Sequence, residues 1–149
     1  PLGPSLDMVF SVGDGVALAT YDSSADAFRV TQTRHVMPDH APSLAYNASN
    51  VGGWAEPLQA YVSDCLKGKD GPRGCSFNMR WLAAAVGDLH RIMCQGGVFL
   101  YPADARPGYE QGRLRLVYEA FPIAFLMEQC GGAASDGAGP ILDRIPDSA

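Results

Sequence analysis

The chemistry this sequence offers sits where apolar runs begin and end. Asn47 and Asn50 lie in a short polar stretch, Arg80 precedes an apolar helical pattern, and Tyr101 closes an apolar run. Arg113 opens "GRLRLVYE" (112–119) and Glu119 closes it. Arginine forks onto phosphate oxygens, while Tyr and Asn add neutral donors. A carboxylate beside such a cluster suits Mg²⁺, which takes one or two carboxylates plus phosphate oxygens. Together these are the parts of metal-assisted phosphate-ester hydrolysis. Spacing alone leaves each residue a plainer alternative. Glu119 complements a helix dipole, Arg113 lies on a solvated strand edge, Tyr101 is an amphipathic core residue, and Asn47 is a turn residue.

Composition narrows the class. A chain of 149 residues is one domain's worth, with 47% hydrophobic and 18% charged residues. A formal net charge of −5 and a pI near 5.0 argue against nucleic-acid binding, whose footprint is basic. They leave room for a small phosphorylated ligand held by a local cluster of cations. No apolar run reaches the length of a membrane span, and no signal peptide is visible, so the "NAS" at 47–49 is a chance glycosylation match. Cys65, Cys75, Cys94 and Cys130 form no CxxC pair. They read as reduced structural residues in a reducing compartment, and His35, His40 and His90 make no metal pattern with them. The chain begins at Pro1 and ends at "IPDSA", and truncation at both ends is expected.

The elements that must position these groups follow from periodicity. Residues 6–12 read as a buried strand, and 15–22 with 27–33 as a β-hairpin around "SSAD". Residues 34–43 are a loop and 44–50 a short polar stretch. Residues 54–66 form a helix with Leu58, Tyr61, Val62, Cys65 and Leu66 on one face and Pro57 in its first turn. Residues 80–97 form a second helix, with Leu82, Val86, Leu89 and Met93 at helical spacing and "GG" as its stop. Residues 98–102 are a buried strand, and 113–119 a strand with Leu114, Leu116 and Tyr118 on one face. Residues 122–132 form a helix opened by Pro122 and stopped by Gly131. The order predicts an α/β layered architecture, a mixed β-sheet flanked by helices.

The stretches "YNASN" (46–50), "AYVSDCLKGKDGPRG" (60–74), "FNMRWLAAAVGDLHRIMCQGGVFLYPAD" (77–104), "GRLRLVYEAFPIAFLMEQCGGAASDG" (112–137) and "ILDRIP" (141–146) resemble the carboxyl-terminal half of class I fructose-1,6-bisphosphatases of the bacterial kind. They come in that family's order and with its spacing. The resemblance implies the C-terminal half of the sugar-phosphatase fold over residues 1–149. It also implies hydrolysis of fructose 1,6-bisphosphate to fructose 6-phosphate and phosphate, in gluconeogenesis or the Calvin cycle. Asn47, Tyr101 and Arg113 match positions that bind the sugar's 6-phosphate, as does Trp81, where Tyr is usual. Arg80 matches the Arg lent to a neighbouring subunit, which implies a homo-oligomer, a tetramer in many relatives. Glu119 matches a carboxylate that ligates Mg²⁺. Arg113 stands where Lys is commonest, "AAA" (83–85) replaces a run that usually holds Ser and Met, and Phe121 replaces Asn before Pro122. The family's other metal carboxylates and its AMP site lie upstream of this region, so the chain alone is expected to bind phosphate weakly and not to turn over. A cytoplasmic location is expected. The alternatives are a non-catalytic sugar-phosphate-binding or subunit-interaction domain, and sedoheptulose-1,7-bisphosphatase activity.

Overall fold

The computed structural model describes residues 4–39 and 42–146. His40 and the last residues of "IPDSA" lie outside the described residues. The chain divides into two compact units, one formed by Pro1–Met37 with Leu116–Ala149 and the other by Pro38–Arg115.

In the first unit, strands β1 (Asp7–Ser11), β2 (Val16–Asp22) and β3 (Ala27–His35) form an antiparallel meander in the order β1-β2-β3. The hairpin read from "SSAD" is present, with Asp22 accepting from the Ser24 and Ala25 N–H groups at the turn. The segment at 6–12 is a strand, but half-buried or exposed rather than buried; Met8 is exposed. In this meander β1 is an edge, so its apolar run signals a strand without fixing its depth.

The third helix, α3 (Phe121–Gln129), ends in a Schellman motif. The Gly132 N–H donates to the Met127 carbonyl (2.8 Å) and the Gly131 N–H to that of Glu128 (3.1 Å), with Gly131 at φ +86°. The Gly131 stop read from the sequence is therefore correct. The Gly15 N–H donates to Gln129 Oε1 (2.9 Å) and the Met37 N–H to the Cys130 carbonyl (2.8 Å), tying α3 to the sheet's loops. Val16, Ala19, Ala124, Met127 and Cys130 are buried.

The strand expected at 113–119 does not form. Leu116–Ala120 is a single π-helical turn that runs into α3. The reason lies at Pro122: it has no N–H to donate to the carbonyl four residues back, and its ring crowds that carbonyl, so the preceding turn widens. Glu119 thus stands in a π turn at a helix entrance, not at a strand end.

In the second unit, β4 (Ser43–Tyr46) lies between β5 (Asn78–Met79) and β6 (Val98–Leu100), parallel to both. The α/β class holds, with the antiparallel and parallel character divided between two sheets. The sequence reading missed β4, which looked polar at 44–50 yet contributes Leu44, Ala45 and Tyr46 to the core. Helix α1 (Glu56–Leu66) packs Val62 and Cys65 against Leu44, Tyr46 and Trp54, while Leu66 is exposed. Helix α2 (Ala85–Gln95) starts five residues later than expected. Leu82 and Val86 are exposed, and the buried face is Asp88, Leu89, Ile92 and Met93. Gly97 (φ +128°) opens β6; a Cβ there would meet the Ser43 carbonyl oxygen at 2.8 Å, so only glycine lets β6 approach β4. None of the four cysteines is in a disulfide, and Cys65 and Cys130 are buried.

Candidate functional site

Three parallel strands end side by side, and a candidate residue follows each. Asn47 comes directly after β4, Arg80 and Trp81 after β5, and Tyr101 after β6. Tyr46 and Leu100 are register partners, so Asn47 and Tyr101 leave neighbouring strands at the same level. The carboxyl ends of parallel strands are where open α/β sheets receive ligands.

Asn47 caps the 3₁₀ turn Ala48–Gly53, its Oδ1 accepting from the Ser49 N–H at 3.0 Å. The turn role and a binding role are compatible, because the side-chain NH₂ is not the atom that caps. Asn50 is buried in the same turn, and its N–H donates to the Asn47 carbonyl. Trp81 is half-buried and stacks on Phe99 (5.8 Å, 28°) and Tyr101 (6.0 Å, 30°). The three rings make an aromatic wall with an indole N–H and a phenol O–H as polar handles. The Arg80 N–H donates to the Leu44 carbonyl (2.8 Å), while its residue remains exposed.

Arg113 reaches this neighbourhood on the 103–112 loop. That loop is anchored by the Ala105 N–H donating to the carbonyl of Gly53 (2.9 Å), the last residue of the turn that Asn47 caps. A Cβ on Gly112 would lie 4.0 Å from the Tyr101 carbonyl oxygen, which puts the backbone leading into Arg113 beside Tyr101. The exposed Arg113 guanidinium lies over the Tyr109 ring, and its Nη1 donates to the Tyr109 hydroxyl. Arg106 lies over the same ring and is paired with buried Asp104. Hydrogen bonds from Arg106 hold the Asp104 carboxyl below its ordinary pKa, against burial, which raises it. Arg106 is thereby neutralised by Asp104, whereas the contact shown by Arg113 is with the neutral Tyr109.

The structure therefore brings Asn47, Trp81, Tyr101 and Arg113 into one unit, with Arg80 at the end of β5. Glu119 belongs to the other unit, where it is half-buried in the π turn. Among the described residues no three His, Cys, Asp or Glu side chains come together as a metal site. The residues present thus do not by themselves fit a divalent metal; Glu119 offers one carboxylate. Sequence reasoning passed over Tyr109, Asp104 and Arg106, which carried no periodic signal. It also passed over Asp88 and Arg91, whose i, i+3 spacing on a helix was a usable signal.

Comparison with known proteins bears on the family and the fold. Residues 37–149 match the family model described as the fructose-1-6-bisphosphatase C-terminal domain. Class 1 fructose-1,6-bisphosphatase of Brucella anthropi is 55% identical over 146 residues, 98% of this chain and 43% of that protein. The Brucella canis protein of the same name is 56% identical with the same coverage. The crystal structure of Leishmania major fructose-1,6-bisphosphatase in apo form superposes with a TM-score of 0.90 at 31% identity, covering 98% of this chain and 45% of that one. The holo form gives a TM-score of 0.87 at 32% identity, covering 95% of this chain and 43% of that one. The chain spans less than half the length of the curated relatives it matches.

Proposed function

Since this chain belongs to the fructose-1,6-bisphosphatase family, as its carboxyl-terminal domain, we propose that it supplies the sugar-phosphate pocket of an enzyme that hydrolyses the 1-phosphate of fructose 1,6-bisphosphate. The observation that carries this reading is the convergence of Asn47, Trp81 and Tyr101 at the ends of adjacent parallel strands, with Arg113 led in beside Tyr101.

In this reading the sugar's 6-phosphate is the handle. Arg113 forks onto two phosphate oxygens, which charge-assisted geometry favours. The Asn47 NH₂, the Tyr101 O–H and the Trp81 N–H donate to the remaining oxygens. The aromatic wall presents an apolar face to the sugar ring and keeps water from the bound phosphate. Holding the substrate at this remote phosphate orients the 1-phosphate for attack. The exposed Arg80 extends to the equivalent pocket of a neighbouring subunit in a homotetramer. Glu119 is one ligand of a Mg²⁺ site whose other ligands the described residues do not include, and the ion would stabilise charge on the transferring phosphate. A cytoplasmic enzyme of gluconeogenesis or of the Calvin cycle fits this chemistry. No helix among the described residues is long and apolar enough to cross a membrane.

The test is phosphate release by the complete protein from fructose 1,6-bisphosphate and, separately, from sedoheptulose 1,7-bisphosphate. Fructose 1,6-bisphosphate is the expected preferred substrate. Glu119→Gln should lower turnover and leave fructose 6-phosphate affinity nearly unchanged. Preference for the seven-carbon substrate, or full turnover by Glu119→Gln at saturating Mg²⁺, would overturn the reading.

A further inference from the structure

Helix α2 buries an ion pair that the proposed chemistry does not use. Asp88 is 0% exposed, and the Arg91 side chain, 13% exposed, contacts it at 3.1 Å. Taking two charges out of water is costly, and a buried pair of this kind is weak evidence for net stability. What the pair holds is more informative. Arg91 Nη2 donates to the Arg80 carbonyl (3.3 Å), and Nη1 donates to Ser43 Oγ (2.9 Å) on β4. Asp88 Oδ2 accepts from the Leu82 N–H (3.0 Å).

The Arg80 carbonyl belongs to the peptide plane before Trp81, and the Leu82 N–H to the plane after it. The ion pair therefore grips both peptide planes of Trp81. The Arg80 N–H is already bonded to the Leu44 carbonyl. Residues 80–84 are neither helix nor strand, and Ala83 sits at φ +60°, a conformation that surrounding structure must enforce. Arg91 Nε is buried without a hydrogen-bond partner. The guanidinium is thus placed for its reach to carboxylate, hydroxyl and carbonyl rather than for its own full satisfaction, and only a planar fork spans all three.

We propose that Asp88 and Arg91 are positioning residues that set the backbone of Arg80 and Trp81 for sugar-phosphate binding. This rests on the reading that Arg80 and Trp81 contact the sugar phosphate.

Arg91→Lys is the sharp variant, because it keeps the charge beside Asp88 and loses the fork. Asp88→Asn is the second variant, since it retains an acceptor for Leu82 without the charge. In the complete protein two quantities are read: amide hydrogen exchange at residues 80–84, and KM and kcat for fructose 1,6-bisphosphate. Arg91→Lys should speed exchange at Leu82 by about tenfold and raise KM roughly three- to tenfold, with kcat nearly constant. The KM effect should shrink to about twofold or less when Trp81→Ala is already present. Unchanged exchange at Leu82 in both variants overturns the positioning role. So does a KM rise of the same size with and without Trp81. If Arg80→Ala and Trp81→Ala themselves leave KM unchanged, the pocket reading fails and takes this inference with it. If those two raise KM while Arg91→Lys and Asp88→Asn do not, the inference alone fails.

Discussion

The Arg113 guanidinium lies 4.6 Å from the centre of the Tyr109 ring and donates a hydrogen bond to the Tyr109 hydroxyl. Arg106 sits 4.2 Å from the same ring centre and is locked to Asp104. An exposed arginine would otherwise sample many rotamers, and binding a phosphate would have to freeze them. Tyr109 removes part of that cost beforehand. Tyr109→Ala should weaken fructose 6-phosphate binding about two- to tenfold, given a cation–π contact of roughly 0.5–1 kcal/mol at an exposed site plus one hydrogen bond. Tyr109→Phe, which keeps the ring, should recover part of the loss. Calorimetric titration measures both; equal affinities for all three proteins would show that Tyr109 does not orient Arg113.

Acid should act through the aspartates that arginines hold. The Asp104 carboxyl is lowered by Arg106, and Asp136 lies well below its ordinary value because Arg144 and the Ala138 and Gly139 N–H groups bond to it. A carboxylate depressed on folding contributes stability that is present above its unfolded pKa of about 3.9 and lost as pH falls through the folded value. Urea unfolding between pH 5 and pH 2.5 should therefore show the wild type losing stability more steeply than Asp104→Asn or Asp136→Asn. Parallel slopes would remove these two groups from the acid response.

The parallel sheet depends on Leu44, which is 0% exposed in the middle strand among Tyr46, Trp54, Val62 and Cys65. Leu44→Ala should cost roughly 2–5 kcal/mol of unfolding free energy, the usual range for a core leucine that leaves a cavity. Since Asn47 follows three residues later, directly after the end of this strand, fructose 6-phosphate binding should weaken too. A loss below about 1 kcal/mol in urea unfolding would show that this strand is not the unit's centre.

How far the sequence could be read depends on which signals were local. The hairpin, α1 and the Gly131 stop were legible because turn residues and helical spacing act within a few positions. The strand β4 was not, because "SLAY" is short and its burial comes from β5, β6 and α1, elements distant in sequence. The segment at 113–119 misled because Arg/Leu alternation is a strand signal, whereas a proline three residues later sets a helical entrance. Helix α2 was placed too early because Leu82 fits a helical stripe, whereas Leu82 lies before the helix and its N–H donates to the Asp88 carboxylate on α2. The residues chosen for the pocket could be named from family resemblance. Their placement at three adjacent strand ends required the β5-β4-β6 order, which periodicity does not contain.

The central claim is that Arg113 binds the sugar phosphate in this pocket. The most direct measurement is calorimetric titration of fructose 6-phosphate into the complete protein and its Arg113→Ala variant. Loss of a charge-assisted phosphate contact worth roughly 1.5–3 kcal/mol should weaken binding about 10- to 150-fold, with Arg113→Lys in between. An unchanged dissociation constant in Arg113→Ala would contradict the account.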